Sequence, residues 1–179
     1  HDEAQARLKA SLKMQYFLQG EYKAHPAIAA TLHELGGVLK AKGCIDEARE
    51  PLEASLKMMH SLHVEGTAHP GIAATLHALG TVLRAQGRHD EAQVRLEASL
   101  KMQYSLHGED AVRPAIAATL RELGGVLEAL GDLNGARKRL DASLKQEPPN
   151  RGKGKGTGKG VCFRFRNGTC HFGDLCFYS

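Results

Sequence analysis

What this 179-residue chain lacks narrows its class before any motif is read. No stretch approaches the roughly 18 consecutive apolar residues that would suggest a membrane span, and the first residues do not form the charged-then-apolar pattern of a secretory leader. These absences predict an intracellular protein, in cytoplasm or nucleus, with no membrane partner. Cysteine is scarce, four in all, and Cys162, Cys170 and Cys176 crowd into the basic end of the chain. That crowding speaks against a disulfide framework and for a metal site. Catalytic signatures are missing too: there is no Ser/His/Asp arrangement and no pair of carboxylates in an obvious pocket, and His33-Glu34 lacks the second histidine of a zinc-protease H-E-x-x-H. Neither an enzyme nor a small-molecule substrate is expected. Net charge is absent from most of the chain, since through Gln146 eighteen Lys and Arg balance eighteen Asp and Glu. The formal +4 therefore lies entirely in residues 147–179, with six basic residues against two acidic ones.

What is present is a repeat. A shift of forty-four residues lays "HPAIAATLHELGGVLKAKG" from His25 over "HPGIAATLHALGTVLRAQG" from His69 and "RPAIAATLRELGGVLEALG" from Arg113. The segment from His1 repeats only the second half of the unit, so the array divides into a half repeat 1–24 and repeats 25–68, 69–112 and 113–146. Self-similarity at this period marks a solenoid. In each unit the apolar set Ile28, Leu32, Leu35 and Leu39 falls on one helical face. Pro26, Pro70 and Pro114 suit a first helical turn, and Gly43, Gly87 and Gly131 a left-handed helix end. A second helix opens near Asp46, whose carboxylate is expected to cap it, and carries Ala48, Leu52, Ser55 and Leu56 on one face. Gly36, Gly80 and Gly124 weaken a helix, so close packing is expected to hold them there. Cys44 falls in the turn, matched by Arg88 and Asp132, and receives no role. His60 and His63 could hold a metal, but Tyr104 with His107 and Tyr16 with Gln19 replace them in the other units, which favours surface histidines.

The order Leu35-Gly36, Leu39, Gly43, Ala48, Leu52, Ser55, Leu56 resembles the tetratricopeptide repeat, and the "HPAIAATL" opening with the longer loop is most similar to the kinesin light chain type. Leucine at Leu32, Leu76 and Leu120 replaces the early aromatic of the family, and serine at Ser55, Ser99 and Ser143 its usual alanine. The resemblance covers residues 1–146 and implies an all-α, right-handed solenoid of helical hairpins. It also implies a concave face made by the first helices, where a protein or peptide ligand would meet His33, His77 and Arg121, Thr81, and Lys40, Arg84 and Glu128. Those positions differ from copy to copy. The half repeat at the start and the lack of a polar capping helix after Lys145 suggest a piece of a longer protein with an apolar face exposed at each end, where self-association is a risk.

After the repeats, "QEPPNRGKGKGTGKG" reads as a flexible basic linker over 147–160, and it fails the spacing of a phosphate loop. The last stretch, 161–179, has the rhythm C-x7-C-x5-C and resembles the CCCH zinc finger, whose fourth ligand would stand one residue beyond Ser179. The resemblance implies Zn2+ on Cys162, Cys170 and Cys176, and single-stranded RNA stacked on Phe172 and Tyr178. Arg164 and Arg166 would add contacts to phosphate. The leading expectation is a non-enzymatic adaptor, with repeats that grip protein and a finger that contacts RNA. Two alternatives stand beside it: a pure interaction scaffold similar to kinesin light chain with a structural finger, or a non-catalytic fragment of a larger enzyme.

Overall fold

The computed structural model describes residues 1–19, 24–64, 66–108 and 111–146, and every regular element among them is an α-helix. In chain order these are α1 (Asp2–Gln19), α2 (Pro26–Ala41), α3 (Ile45–Leu62), α4 (Pro70–Ala85), α5 (His89–His107), α6 (Pro114–Ala129) and α7 (Leu133–Gln146). The expected linker and the expected finger, with Cys162, Cys170, Cys176, Phe172, Tyr178, Arg164 and Arg166, lie outside the described residues.

Each full repeat folds as a hairpin of a first and a second helix: α2 with α3, α4 with α5, α6 with α7. The apolar face expected in the first unit is buried in full, from Ile28 and Leu32 through Leu35 and Leu39, and so are Ala48, Leu52, Ser55 and Leu56 on the second helix. A lone hairpin could not hide both faces, so each second helix also packs on the next first helix, α1 on α2, α3 on α4 and α5 on α6. Successive first helices touch as well, α2 with α4 and α4 with α6. On the first and last described helices apolar side chains are exposed: Met14, Phe17 and Leu18 on α1, and Leu133, Leu140 and Leu144 on α7.

The glycine positions explain how closely the helices approach. A Cβ built on Gly36 would collide with Leu52 Cγ, and one on Gly80 would come within 2.5 Å of Leu96 Cγ. Gly124 stands in the same relation to Leu140, at 2.8 Å. Between hairpin arms, Gly43, Gly87 and Gly131 take φ of 83°, 75° and 84°, the left-handed region that glycine enters without steric cost. Around Gly43 the Cys44 N–H donates to Leu39 O and the Gly43 N–H to Lys40 O, both at 3.0 Å, a pairing that closes the orphan carbonyls of α2.

The helix α3 opens near Asp46 as expected, at Ile45, but Asp46 does not cap it. Cys44 holds the cap position without a side-chain hydrogen bond. Asp46 lies in the first turn, where its charge suits the helix dipole, and accepts a 2.8 Å hydrogen bond from Gln86 Nε2 at the end of α4. One repeat earlier, Lys42 pairs with Asp2 at 2.6 Å. The acidic first turn is thus a fastening between repeats. Asp132, before α7, does work as a side-chain cap, accepting from the Gly135 N–H at 2.9 Å. A further irregularity is Pro51, buried inside α3 where Arg95 and Arg139 stand in the later copies.

Candidate functional site

The face made by α2, α4 and α6 carries every residue expected to form a ligand groove, and the structure reveals what those side chains do among themselves. His33 on α2 reaches Thr75 on α4, with Nδ1 3.0 Å from Oγ1, and His77 repeats the contact with Thr119 on α6 at the same distance. Thr75 spends its only hydroxyl proton on Gly71 O at 2.9 Å, and Thr119 on Ala115 O at 3.0 Å. In both pairs the threonine oxygen can then only accept, so the histidine Nδ1 carries the hydrogen and Nε2 is left as an acceptor. Burial holds both imidazoles below their ordinary value of 6.5, which favours this neutral form.

One turn further along, Lys40 Nζ donates to Thr81 Oγ1 at 3.2 Å, and Thr81 passes its own proton to Ala78 O at 2.8 Å. Arg84 forms an ion pair with Glu122 on α6, 2.8 Å between Nε and Oε2, beneath the bare backbone of Gly125. His33, His77, Lys40, Thr81 and Arg84 thus form a polar ladder that joins each first helix to the next. Arg121 and Glu128 are exposed on α6, at the last rung described. The structure brings the seven residues onto one face, and five of them are engaged with the neighbouring repeat.

Sequence reasoning missed the threonine row and Glu122. Thr31, Thr75 and Thr119 recur in register inside "IAATL" at a buried position, a repeated polar residue on an apolar face whose partner could have been sought. Gln15 supplies that partner for Thr31, 3.1 Å from Nε2 to Oγ1. The serines have a comparable task. Ser55, Ser99 and Ser143 donate to Ala29, Ala73 and Ala117 carbonyls at 2.6, 2.8 and 3.1 Å, a hydroxyl bridging the two arms of each hairpin.

The paired histidines behave as expected of a helix start. His25 and His69 precede their prolines and accept through Nδ1 from Ala27 N and Gly71 N at 3.2 and 3.1 Å. His69 also stacks on His63 with ring centroids 3.9 Å apart. Among the described residues no three His, Cys, Asp or Glu side chains converge to hold a metal, and no helix is long and apolar enough to cross a membrane.

Residues 27–105 match the family model described as Tetratricopeptide repeat. No curated protein matches the sequence. Among solved structures, BtubC (BKLC) from P. vanneervenii superposes with a TM-score of 0.71 at 21% identity, over 83% of this chain and 59% of that one. A kinesin light chain-type protein of nearly identical TPR-like repeats from Podosopora anserina gives 0.68 at 26% identity, covering 80% of this chain and 65% of the other. A variant of that protein gives 0.63, also at 26%, covering 81% and 66%. The chain thus spans between 59% and 66% of the length of these proteins. Residues 27–105 thus match the tetratricopeptide repeat, and the helical part is similar in fold to solved repeat structures, one of them of the kinesin light chain type.

Proposed function

We propose that the chain is a non-enzymatic protein-interaction scaffold that holds a partner's peptide segment against the face of α2, α4 and α6. The observation that carries this reading is the contrast on those helices: buried positions such as Ile28, Ile72 and Ile116 repeat without change, while polar positions at fixed register vary, His33, His77 and Arg121 in one row, Lys40, Arg84 and Glu128 in another. A constant scaffold with a varied polar surface suits recognition of a polypeptide, the general work of tetratricopeptide arrays. The test is affinity capture with the full chain and with a Lys40→Ala, Arg84→Ala, Arg121→Ala variant, followed by quantitative mass spectrometry. Partners retained by wild type and lost by the variant are expected, and an unchanged set of partners would sink the reading.

A second reading adds RNA. It rests on the C-x7-C-x5-C spacing of Cys162, Cys170 and Cys176, with Phe172 and Tyr178 each two residues after a cysteine and all of the net positive charge nearby. Three thiolates would supply three of four tetrahedral zinc ligands, and structural zinc in a complete finger contributes about 10–16 kcal/mol of apparent binding free energy. The chain extended by one histidine after Ser179 is expected to bind one zinc ion far more tightly than the chain as given. Single-stranded RNA affinity should then fall steeply with salt and vanish in Phe172→Ala with Tyr178→Ala. If the extended chain takes up no zinc, the finger drops out and the scaffold stands alone.

A further inference from the structure

On the outer side of the array, where the second helices lie, a groove opens at each junction: about 390 Å³ between α1 and α3, about 380 Å³ between α3 and α5, and about 650 Å³ between α5 and α7. Arg139 lines the last of these, whereas Leu133, Leu140 and Leu144 on the same helix do not. The three leucines are spaced by seven and four residues, so they fall on one line of α7, a stripe about 16 Å long. Leu133 and Leu144 are 67% and 66% exposed and stand up from the helix instead of lining a cleft.

In the earlier repeats the matching core positions are covered. Leu52 and Leu96 correspond to Leu140, and Leu56 and Leu100 to Leu144; all four are buried, because α4 packs on α3 and α6 on α5. After α7 the sequence changes character. Residues 147–160 hold no large apolar side chain, so they cannot supply an apolar helix face to cover the stripe. The charge around it has one sign in excess. α7 carries Arg137, Lys138, Arg139 and Lys145 against Asp141, and residues 147–160 add Arg151, Lys153, Lys155 and Lys159 against Glu147. Arg137, Lys138 and Lys145 are exposed, and Arg137 comes no closer to Asp141 than 3.9 Å.

We infer that α7 is a docking face for an anionic membrane surface, its leucines entering the boundary of headgroups and acyl chains while its basic residues meet anionic headgroups. An exposed apolar stripe and a polybasic run on one stretch of chain are the two signals that stable peripheral attachment needs. At 14 residues α7 is too short to cross a bilayer and would lie along it. Absence of a spanning segment, from which no membrane partner was expected, does not bear on such a surface attachment. Charge complementarity selects this occupant. A second copy would bring either another α7 with the same excess or α1, where Arg7, Lys9 and Lys13 outnumber Asp2 and Glu3. Residues 147–179 carry the same sign as the face. Nucleic acid would meet the charge but leave the leucines in water, and an acidic polypeptide would need a groove where α7 presents a ridge. The inference rests on α7 alone and stands whether or not the readings proposed above hold.

The test sediments the full chain with vesicles of phosphatidylcholine or of equal parts phosphatidylcholine and phosphatidylserine. Binding is expected with the anionic vesicles alone, and less of it as salt rises. Leu133→Gln with Leu144→Gln, which keeps helix propensity, should weaken it about tenfold or more. Arg137→Gln, Lys138→Gln and Lys145→Gln together should weaken it about a hundredfold, at roughly fivefold for each charge near an anionic surface. If the leucine pair melts at a lower temperature than wild type, Leu133→Gln alone replaces it, with a smaller loss in the same direction. The inference is overturned if the chain binds neither kind of vesicle or both equally. It is overturned too if the leucine variants bind as wild type does, since the charge of residues 147–179 would then act alone. A dimer in solution that the leucine pair dissolves would give the face to a second copy. Polyglutamate or oligouridylate binding that the leucine pair weakens would give it to an acidic protein or to nucleic acid, and either result sinks the inference.

Discussion

Gly36 and Gly37 are adjacent glycines on one helix with opposite expected responses to a methyl group. A Cβ at Gly36 collides with Leu52, which is fully buried and has no room to yield, whereas one at Gly37 meets nothing within 4 Å. Gly36→Ala should therefore destabilise by about 1–3 kcal/mol, the range for overpacked cores. Gly37→Ala should stabilise by about 0.5–1 kcal/mol, by removing freedom from the unfolded chain. Thermal melts of the two variants beside wild type check the pair, and shifts of the same sign would contradict the packing described. Sequence alone gave reason to expect crowding at Gly36, because a glycine recurs there in every copy, and reason to leave Gly37 free, because Thr81 replaces it.

His33 and His77 set a pH dependence whose sign follows from their burial. Both imidazoles are held below 6.5, so the folded chain binds fewer protons than the unfolded one once the pH drops below that value. Stability is full above 6.5 and is lost as the pH falls through 6.5 toward the folded values. Urea midpoints should be lower at about pH 5 than at about pH 7.5. The fall should be smaller in His33→Gln with His77→Gln, where those two groups no longer titrate; an equal fall would place the titrating groups elsewhere. The hydrogen bonds behind this were not legible in the sequence, because a one-dimensional pattern shows that a histidine recurs without showing which threonine, some forty residues away, lies beside it.

Among the elements, α3 departs most from its siblings. Pro51 removes a backbone N–H and crowds the preceding turn, a defect worth about 3 kcal/mol in a helix interior. Arg95 and Arg139, the counterparts of Pro51, show that the position accepts a long side chain. Pro51→Arg should raise stability by about 1–3 kcal/mol, measured by urea unfolding, and a loss would mean that the proline ring fills space the repeat requires. The first helices were readable: proline at each start, glycine just past each end and an apolar stripe between them leave little choice. The ends of the second helices were less so. Asp46 looked like a cap because acidic residues favour that place, yet its carboxylate is taken by Gln86 from the adjacent repeat. Competition between a local and a distant partner is settled by packing, which residue spacing does not record.

At the scale of the array, stability should be graded along the chain. α1 contributes a single buried leucine, Leu12, and packs chiefly on α2, while α4 is covered on both sides by α3, α5 and the neighbouring first helices. In a stack whose units contact only their neighbours, opening starts where neighbours are fewest. Amide hydrogen exchange is therefore expected to be fastest in α1 and slowest in α4, and equal protection across the helices would point to a single cooperative unit. The periodicity made this gradient foreseeable. The outer grooves were not, because they are made of space rather than of residues.

The two sides of the array differ in more than chemistry. First helices are fastened to one another by Lys40 with Thr81, Arg84 with Glu122 and the two histidine–threonine pairs, while second helices face each other across open space. Mechanically, this is a row of plates hinged along one edge. Bending turns about the fastened edge, so a given rotation displaces the far edge most, and whatever wedges into a groove there works with the longest lever arm. A ligand on one side and a ligand on the other would each feel the angle that its counterpart sets.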